Sequence, residues 1–411
     1  MKSLHYAWIV LSVATLVVFG SLGLARFGYT SVLPAMQADL DLNNAQSGML
    51  ASLNLAGYLS MAVVGGALAA RFGPRTVITV GLVFAGAGMI FTGLAQGYAS
   101  IAAWRVLTGI GSGMSNVPVM AMIPAWFAAK RRGLAAGIAA TGSSFGLILV
   151  GPLVPRLLEA YGGGEGWRVS WFVFGGITLA LAALSWAFLR NHPREKGLAA
   201  FGSVESDTPP AAQPAPGAPV ISWGKVYRSF AVWHLGLVYI AFGFSYMIYL
   251  TFFAKRLVAE GGLTSAQAGG LFMTIGWISL ICGVLWGTVS DVIGRKGALV
   301  IVYLFHAAAF TSFGLGGFNL SVVLFGLSAW SIPAIMAATC GDVLGSRLAP
   351  AALGFITLFF GTGQALGPIV AGMMADASGG FASSYLLAGG AALLGALGAS
   401  LIRPAPVLQE A

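Results

Sequence analysis

The sequence predicts an all-α membrane protein: twelve transmembrane helices in two pseudo-symmetric six-helix bundles. Three observations predict it. Of 411 residues, 58% are hydrophobic and only 8% charged, more apolar surface than a water-soluble core can conceal. Apolar runs of about twenty residues, each long enough to cross a hydrocarbon layer of roughly 30 Å as a helix, recur along the whole length. A polar, proline-rich stretch falls near the midpoint and divides these runs six and six.

The first six runs are 7–36, 45–70, 76–96, 99–127, 133–157 and 167–190; the second six are 227–257, 265–290, 297–316, 319–343, 350–375 and 380–402. Backbone polar groups in lipid must pair internally, so each run is expected to be a helix. The first is longer than the apolar core of a signal peptide and lacks a small-residue cleavage site, which predicts a retained helix. Between the halves, Pro209, Pro210, Pro214, Pro216 and Pro219 stand among Ala, Ser and charged residues. This composition predicts a flexible cytoplasmic linker over 191–225, separating bundles at 1–190 and 226–411.

The formal net charge is +9, but the basic residues stand in short turns between apolar runs, which reads as a topology signal rather than a nucleic-acid surface. With a cytoplasmic amino terminus, fifteen of the 21 Lys and Arg fall on the inner side, the other six being Arg26, Arg105, Arg156, Arg168, Lys255 and Arg256. Both termini are therefore expected in the cytoplasm of a bacterial inner membrane, with the lipid bilayer as partner, no nucleic acid and a monomeric chain. Cys282 and Cys340 lie inside apolar segments without metal-ligand spacing, so they read as small core residues. No metal cluster, nucleotide loop or nucleophile with an ordered base is apparent in the sequence; the expectation is no enzyme, no metal and no cofactor.

The run Gly66-Ala-Leu-Ala-Ala70-Arg71-Phe-Gly73-Pro-Arg75 follows the second helix, and Gly287-Thr-Val-Ser-Asp291-Val-Ile-Gly294-Arg295-Lys296 follows the eighth. A repeat in matching positions of two halves is what alternating access uses. The pattern resembles the signature loop of the major facilitator superfamily, a resemblance that extends over the whole chain and implies that the acidic residue helps latch the inner side shut. Asp291 holds that place in the second copy and Ala70 in the first. Gly66, Arg71, Gly73, Arg75, Gly287, Asp291, Gly294 and Arg295 are thus expected to act in conformational change. Arg105, Gly109, Gly111 and Gly113 resemble the superfamily's fourth-helix motif, and Arg105, placed near the outer surface where snorkelling is cheap, reads as a gate or anchor. Paired glycine and proline elements, Gly142, Gly146, Gly151 and Pro152 against Gly363, Gly367, Pro368 and Gly372, predict that the fifth and eleventh helices pack closely and bend.

Trp126-Phe127-Ala-Ala-Lys130-Arg131-Arg132-Gly133 through Gly146, with Gly166-Trp167-Arg168-Val-Ser-Trp171 and Tyr6-Ala-Trp8, resembles the monocarboxylate porters and their bacterial relatives. That resemblance implies a small organic anion as substrate, a monocarboxylate, and a proton as its companion if transport is coupled. Family members place an arginine in the eighth helix for the carboxylate; here Thr274 to Ser290 contains no basic residue. Arg26, in Leu24-Ala-Arg26-Phe-Gly-Tyr29-Thr, is the candidate to supply the charge, since a cation within a span costs roughly 2.5–3.5 kcal/mol on insertion scales and is kept for a reason. The competing reading is a snorkelling or carbonyl-paired side chain.

Tyr29, Asn54, Asn116, Ser143, Tyr246, Tyr249 and Gln364 complete the expected binding set. Amides inside helices need partners and suit either a wet cavity or helix–helix bonds. Tyr246 and Tyr249, three apart, share a helical face and join an apolar ring to a polar tip. His306 reads as an interhelical partner rather than a proton relay, and none of the 12 acidic residues falls in the middle of a span. Efflux of an amphipathic compound is the alternative function, with a transporter-like sensor behind it.

Overall fold

A run of apolar residues in lipid becomes a helix, and where glycine permits a left-handed turn the next helix reverses. The computed structural model describes residues 5–203 and 226–402. Twelve helices result among the described residues. In the first half these are α1 (Tyr6–Asp39), α2 (Asn44–Phe72), α3 (Pro74–Leu94), α4 (Tyr98–Trp126), α5 (129–161) and α6 (163–188), the last two divided at Gly162 with φ 76°. The second half comprises α7 (Phe230–Ala259), α8 (Ser265–Ile293), α9 (Arg295–Gly314), α10 (Phe318–Val343), α11 (Ala351–Ser378) and α12 (Ala382–Ser400). The protein is a multi-pass membrane protein built as two six-helix bundles.

The halves repeat in local detail. Helices α2 and α8 are each 29 residues long. Each begins with a capping box, Asn43 with Gln46 and Thr264 with Gln267, which satisfies amides that the first turn would leave open. Each ends at a glycine in nearly the same left-handed conformation, Gly73 at φ 83° and Gly294 at φ 84°. The face carrying these two turns is called here the motif face. Residues 40, 95, 162, 260, 315 and 379 lie at the opposite face.

Helix α1 departs from regular geometry. Phe19–Phe27 is π-helical, and the wide turn coincides with close approach to α5. A Cβ on Gly146 would lie 2.2 Å from the Gly23 Cα, so only a pair of glycines fits there. Arg26 lies in this π-helical stretch.

The two bundles meet through α2 with α11, α5 with α8, and α1 with α7. At the opposite face Asp376 accepts hydrogen bonds from the amides of Asn44 and Ala45, and Ser52 donates to the Ala365 carbonyl. Gly48 lies against the Pro368 carbonyl, and Gly361, nearer mid-depth, against Leu59. Seven positions further toward the motif face along each helix, Gly66 and Gly354 both look onto open space. The second pair behaves alike. Gly151 and Gly269 touch, Ser144 bonds Ser279 at 2.8 Å, and Gly276 abuts the Ser144 carbonyl, whereas Gly137 and Gly283, the next members of the same seven-residue stripes, meet nothing. The bundles therefore close at the opposite face and diverge toward the motif face.

The expected linker begins as packed chain. Phe201 exchanges backbone hydrogen bonds with Trp126 and Ala128 and sets its ring against His5, Trp8 and Phe127. Residues 204–225, with Pro209, Pro210, Pro214, Pro216 and Pro219, fall outside the described residues.

Candidate functional site

Polar side chains on apolar helices must find partners or face water, and tracing those partners separates packing residues from a site. Arg105 is packing. It is 1% exposed, donates from Nη1 to the Ala25 carbonyl at 2.9 Å, and stacks its guanidinium on Tyr29 and Trp171. The expected snorkelling is not found, because α4 places residue 105 two turns inside the span, facing α1 rather than lipid. Tyr29 donates to the Ser47 carbonyl, and Asn54 to the Arg105 carbonyl. These bonds tie α1, α2 and α4 together on the opposite-face side. Tyr249 accepts from Ser321 and lies among Phe253, Phe310, Phe313 and Phe325 within the second bundle. Ser143 is buried on α5, next to Gly142, which packs on Thr15 and Val18 of α1. His306 is buried between the rings of Phe242 and Phe310.

Arg105 leaves one buried nitrogen, Nε, without a partner, whereas Arg26 leaves two on one edge. The Arg26 guanidinium lies over the Tyr58 ring, 4.6 Å from Cζ to the centroid. Nε and Nη2 are shielded from solvent and lack a hydrogen-bond partner. These two nitrogens form one edge of the guanidinium, with their N–H bonds parallel. The Tyr58 hydroxyl accepts from Asn116 at 2.9 Å. From the other bundle, Tyr246 turns its hydroxyl toward Arg26 and also receives a hydrogen bond from Gln364. Beyond it, Tyr239, Phe242, Tyr246 and Phe360 hold their rings within 15° of parallel.

Arg26, Asn116, Tyr246 and Gln364 of the expected set thus converge at mid-depth; Tyr29 and Asn54 border a small space beside Arg26 but spend their polar groups on the Ser47 and Arg105 carbonyls, and Ser143 and Tyr249 stand elsewhere. Tyr58, Tyr239 and Phe360 join the cluster without having been singled out from sequence. The available signal was spacing: Tyr58 is four residues from Asn54, and Phe360 four from Gln364. Toward the opposite face the path stops. Arg26, Asn54, Arg105, Met247 and their neighbours leave a space of about 10 Å³, room for about one water molecule.

The expected gating residues take local partners. Arg75 donates twice to the Trp186 carbonyl and stacks on its ring, fastening α3 to α6, while Arg71 stacks on Phe72. Arg295 bridges Asp291 at 2.5 Å and Asp342 at 3.3 Å. Gly66 and Gly287 face open space, and Gly73 and Gly294 form the two turns already described.

Among the described residues no group of three or more His, Cys, Asp or Glu is placed to hold a metal. Helices enclosing a mid-depth polar cluster between two repeated halves suit a carrier. A family model described as the Major Facilitator Superfamily matches residues 15–359. The chain belongs to this superfamily. It is a transporter of the superfamily rather than an enzyme. Among curated members it is 28% identical to a hexuronate transporter of Bacillus subtilis (strain 168), over 91% of this chain and 89% of that one. It is 25% identical to monocarboxylate transporter 11 of Homo sapiens, over 95% and 81%. Its fold matches a D-xylose-proton symporter with a TM-score of 0.75, at 18% identity over 98% of each chain or more. It also matches a bacterial homologue of the human lysosomal transporter Spinster in an inward-facing, unoccupied conformation, with a TM-score of 0.74 at 18% identity over 98% and 96%.

Proposed function

We propose that the protein carries a small organic anion, a monocarboxylate, across the bacterial inner membrane by alternating access. One observation carries this reading: the Nε and Nη2 edge of Arg26 lies unpartnered at mid-depth between the bundles. That edge matches the two oxygens of a carboxylate, and such a charge-assisted pair is short and geometrically selective. Tyr246, Gln364, Asn116 and Tyr58 would hold the rest of a small substrate, with the parallel rings as its apolar wall. The two relatives named above transport carboxylates by name, hexuronate and monocarboxylate, which agrees with a cationic site.

The excess of basic residues in the motif-face turns supports a cytoplasmic placement of that face and of both termini. The state described here is then inward-facing. A carboxylate on Arg26 neutralises the site and lets the bundles rock over it. A proton accompanying the anion is compatible with this cycle. Uptake of labelled lactate into proteoliposomes preloaded with unlabelled lactate, with and without an inward proton gradient, tests the reading: saturable uptake abolished by Arg26→Ala is expected. No uptake of lactate or related short acids by folded protein would overturn it in favour of the second reading, efflux of an amphipathic compound, for which the stacked rings of Tyr239, Phe242 and Phe360 speak.

A further inference from the structure

We propose that this carrier is an obligate anion exchanger, in which one carboxylate leaves the site only as another takes its place. The inference rests on Arg26 being the carboxylate-binding residue, as argued above, and concerns what happens when the site is empty.

Among the described residues, the groups that face Arg26 are neutral or positive. Tyr58 offers its ring, Tyr246 its hydroxyl, and Arg105 a second positive charge near enough to be felt. Gln364 and Asn116 reach the cluster through these tyrosines as uncharged amides. Among the described residues no carboxylate stands at mid-depth. Asp39, Asp41, Glu159, Glu165, Glu260 and Asp376 are at the opposite face, and Glu195, Asp291 and Asp342 at the motif face; Glu205, Asp207 and Glu410 fall outside the described residues.

A carrier returning empty must close both ends over its site. Nε and Nη2 are already shielded; closing over a lone guanidinium strips water from the part of this half-buried ion that still meets it and puts nothing in exchange, a heavy penalty in a medium of low dielectric constant. A carboxylate on the Nε and Nη2 edge removes that penalty in either direction of travel. The loaded carrier therefore crosses and the empty one stalls. A symporter escapes this stall with an acidic side chain that pairs the cation when substrate is absent and takes a proton when it is present. The site here has hydroxyls and amides where that acid would stand. The cycle is then two half-turns in opposite directions, each with one monovalent anion bound, so that the complete exchange is electroneutral.

The experiment uses purified full-length protein in liposomes, with labelled lactate outside. Inside is either unlabelled lactate, or sulfate with a zwitterionic buffer. Uptake into the lactate-loaded liposomes is expected to be faster by about tenfold or more, the ratio that a stall of only about 1.4 kcal/mol produces, and to be indifferent to an imposed membrane potential. Equal uptake into the two preparations under an inward proton gradient would overturn exchange while leaving the carboxylate reading intact. Absence of uptake in both, by folded protein, would overturn the carboxylate reading beneath it. A variant turns the argument round: Asn116→Asp sets an acid beside Tyr58 and supplies the missing counter-charge. It is expected to take up lactate into sulfate-loaded liposomes, driven by an inward proton gradient. A variant that still exchanges lactate but stays silent in sulfate-loaded liposomes would show that the lone charge is not what stalls the carrier. Gln364→Glu repeats the test from the other bundle if Asn116→Asp fails to fold.

Discussion

The guanidinium of Arg26 lies over the ring of Tyr58, 4.6 Å from Cζ to the centroid, so that α2 supports it while Nε and Nη2 on one edge are buried without a hydrogen-bond partner. A cation over an aromatic face gains about 0.5–1 kcal/mol when exposed and about 2 or more when desolvated. Tyr58→Leu removes that support and is expected to weaken lactate binding by roughly 5- to 30-fold, on the same scale. Tyr58→Phe keeps the ring, loses only the partner of Asn116, and is expected to fall between Leu and the parent. Comparing KM for the three proteins checks the order; equal values for Leu and Phe would remove the ring from the account.

Arg105 predicts a different signature. Its hydrogen bond to the Ala25 carbonyl is buried, and a bond to a charged group contributes about 1.5–3 kcal/mol. Arg105→Gln is expected to lower the melting temperature in detergent and the yield of folded protein, with KM for lactate nearly unchanged in the protein that survives. A large KM change at unaltered stability would instead place Arg105 at the substrate.

Gly146 faces Gly23 so closely that a Cβ would lie 2.2 Å from the opposing Cα. Gly146→Ala must push α5 from α1, and overpacking of this kind costs about 1–3 kcal/mol. Gly176→Ala, where nothing lies within 4 Å, serves as its control and is expected to be neutral. Thermal unfolding of the two variants side by side measures the difference.

The seven-residue stripes give a prediction about motion. Gly66 and Gly354 continue the stripes on which Leu59 and Gly361 already meet, yet both face open space. Closing the motif face brings them together. Cysteines placed at both positions, in a background with Cys282 and Cys340 replaced by Ala, are expected to cross-link with a short bifunctional thiol reagent faster when lactate is present. A rate that lactate leaves unchanged would mean that substrate does not drive this closure.

The Arg295 cluster is expected to matter little for stability. Asp291 and Asp342 are 64% and 61% exposed, and exposed ion pairs contribute about 0–1 kcal/mol. Asp342→Asn should leave the melting temperature within error, and any change in transport rate would then report on conformational balance rather than on folding.

The sequence by itself determined the architecture. Span number, span length, the division into halves and the paired turns at Gly73 and Gly294 are local properties: a bilayer fixes the length of an apolar helix, and a left-handed turn requires glycine wherever it occurs. Arg26 was legible as a candidate for the same reason, since a charge in an apolar run stands out without any knowledge of its neighbours. Which polar residues share a site was decided only in three dimensions. Tyr246 and Tyr249 are three apart on one helix and look equivalent in the sequence, yet one, bonded to Gln364, faces Arg26 across the bundle interface while the other bonds Ser321 and faces only its own bundle. Arg105, close to a helix start in the sequence, turned out to be sealed between Tyr29 and Trp171. The spacing of Tyr58 from Asn54 acquired a meaning only when α2 was set against α1. The rotation of each helix about its axis, and the contact between two bundles joined through a long linker, depend on packing between residues far apart in the chain, and a linear pattern does not encode that.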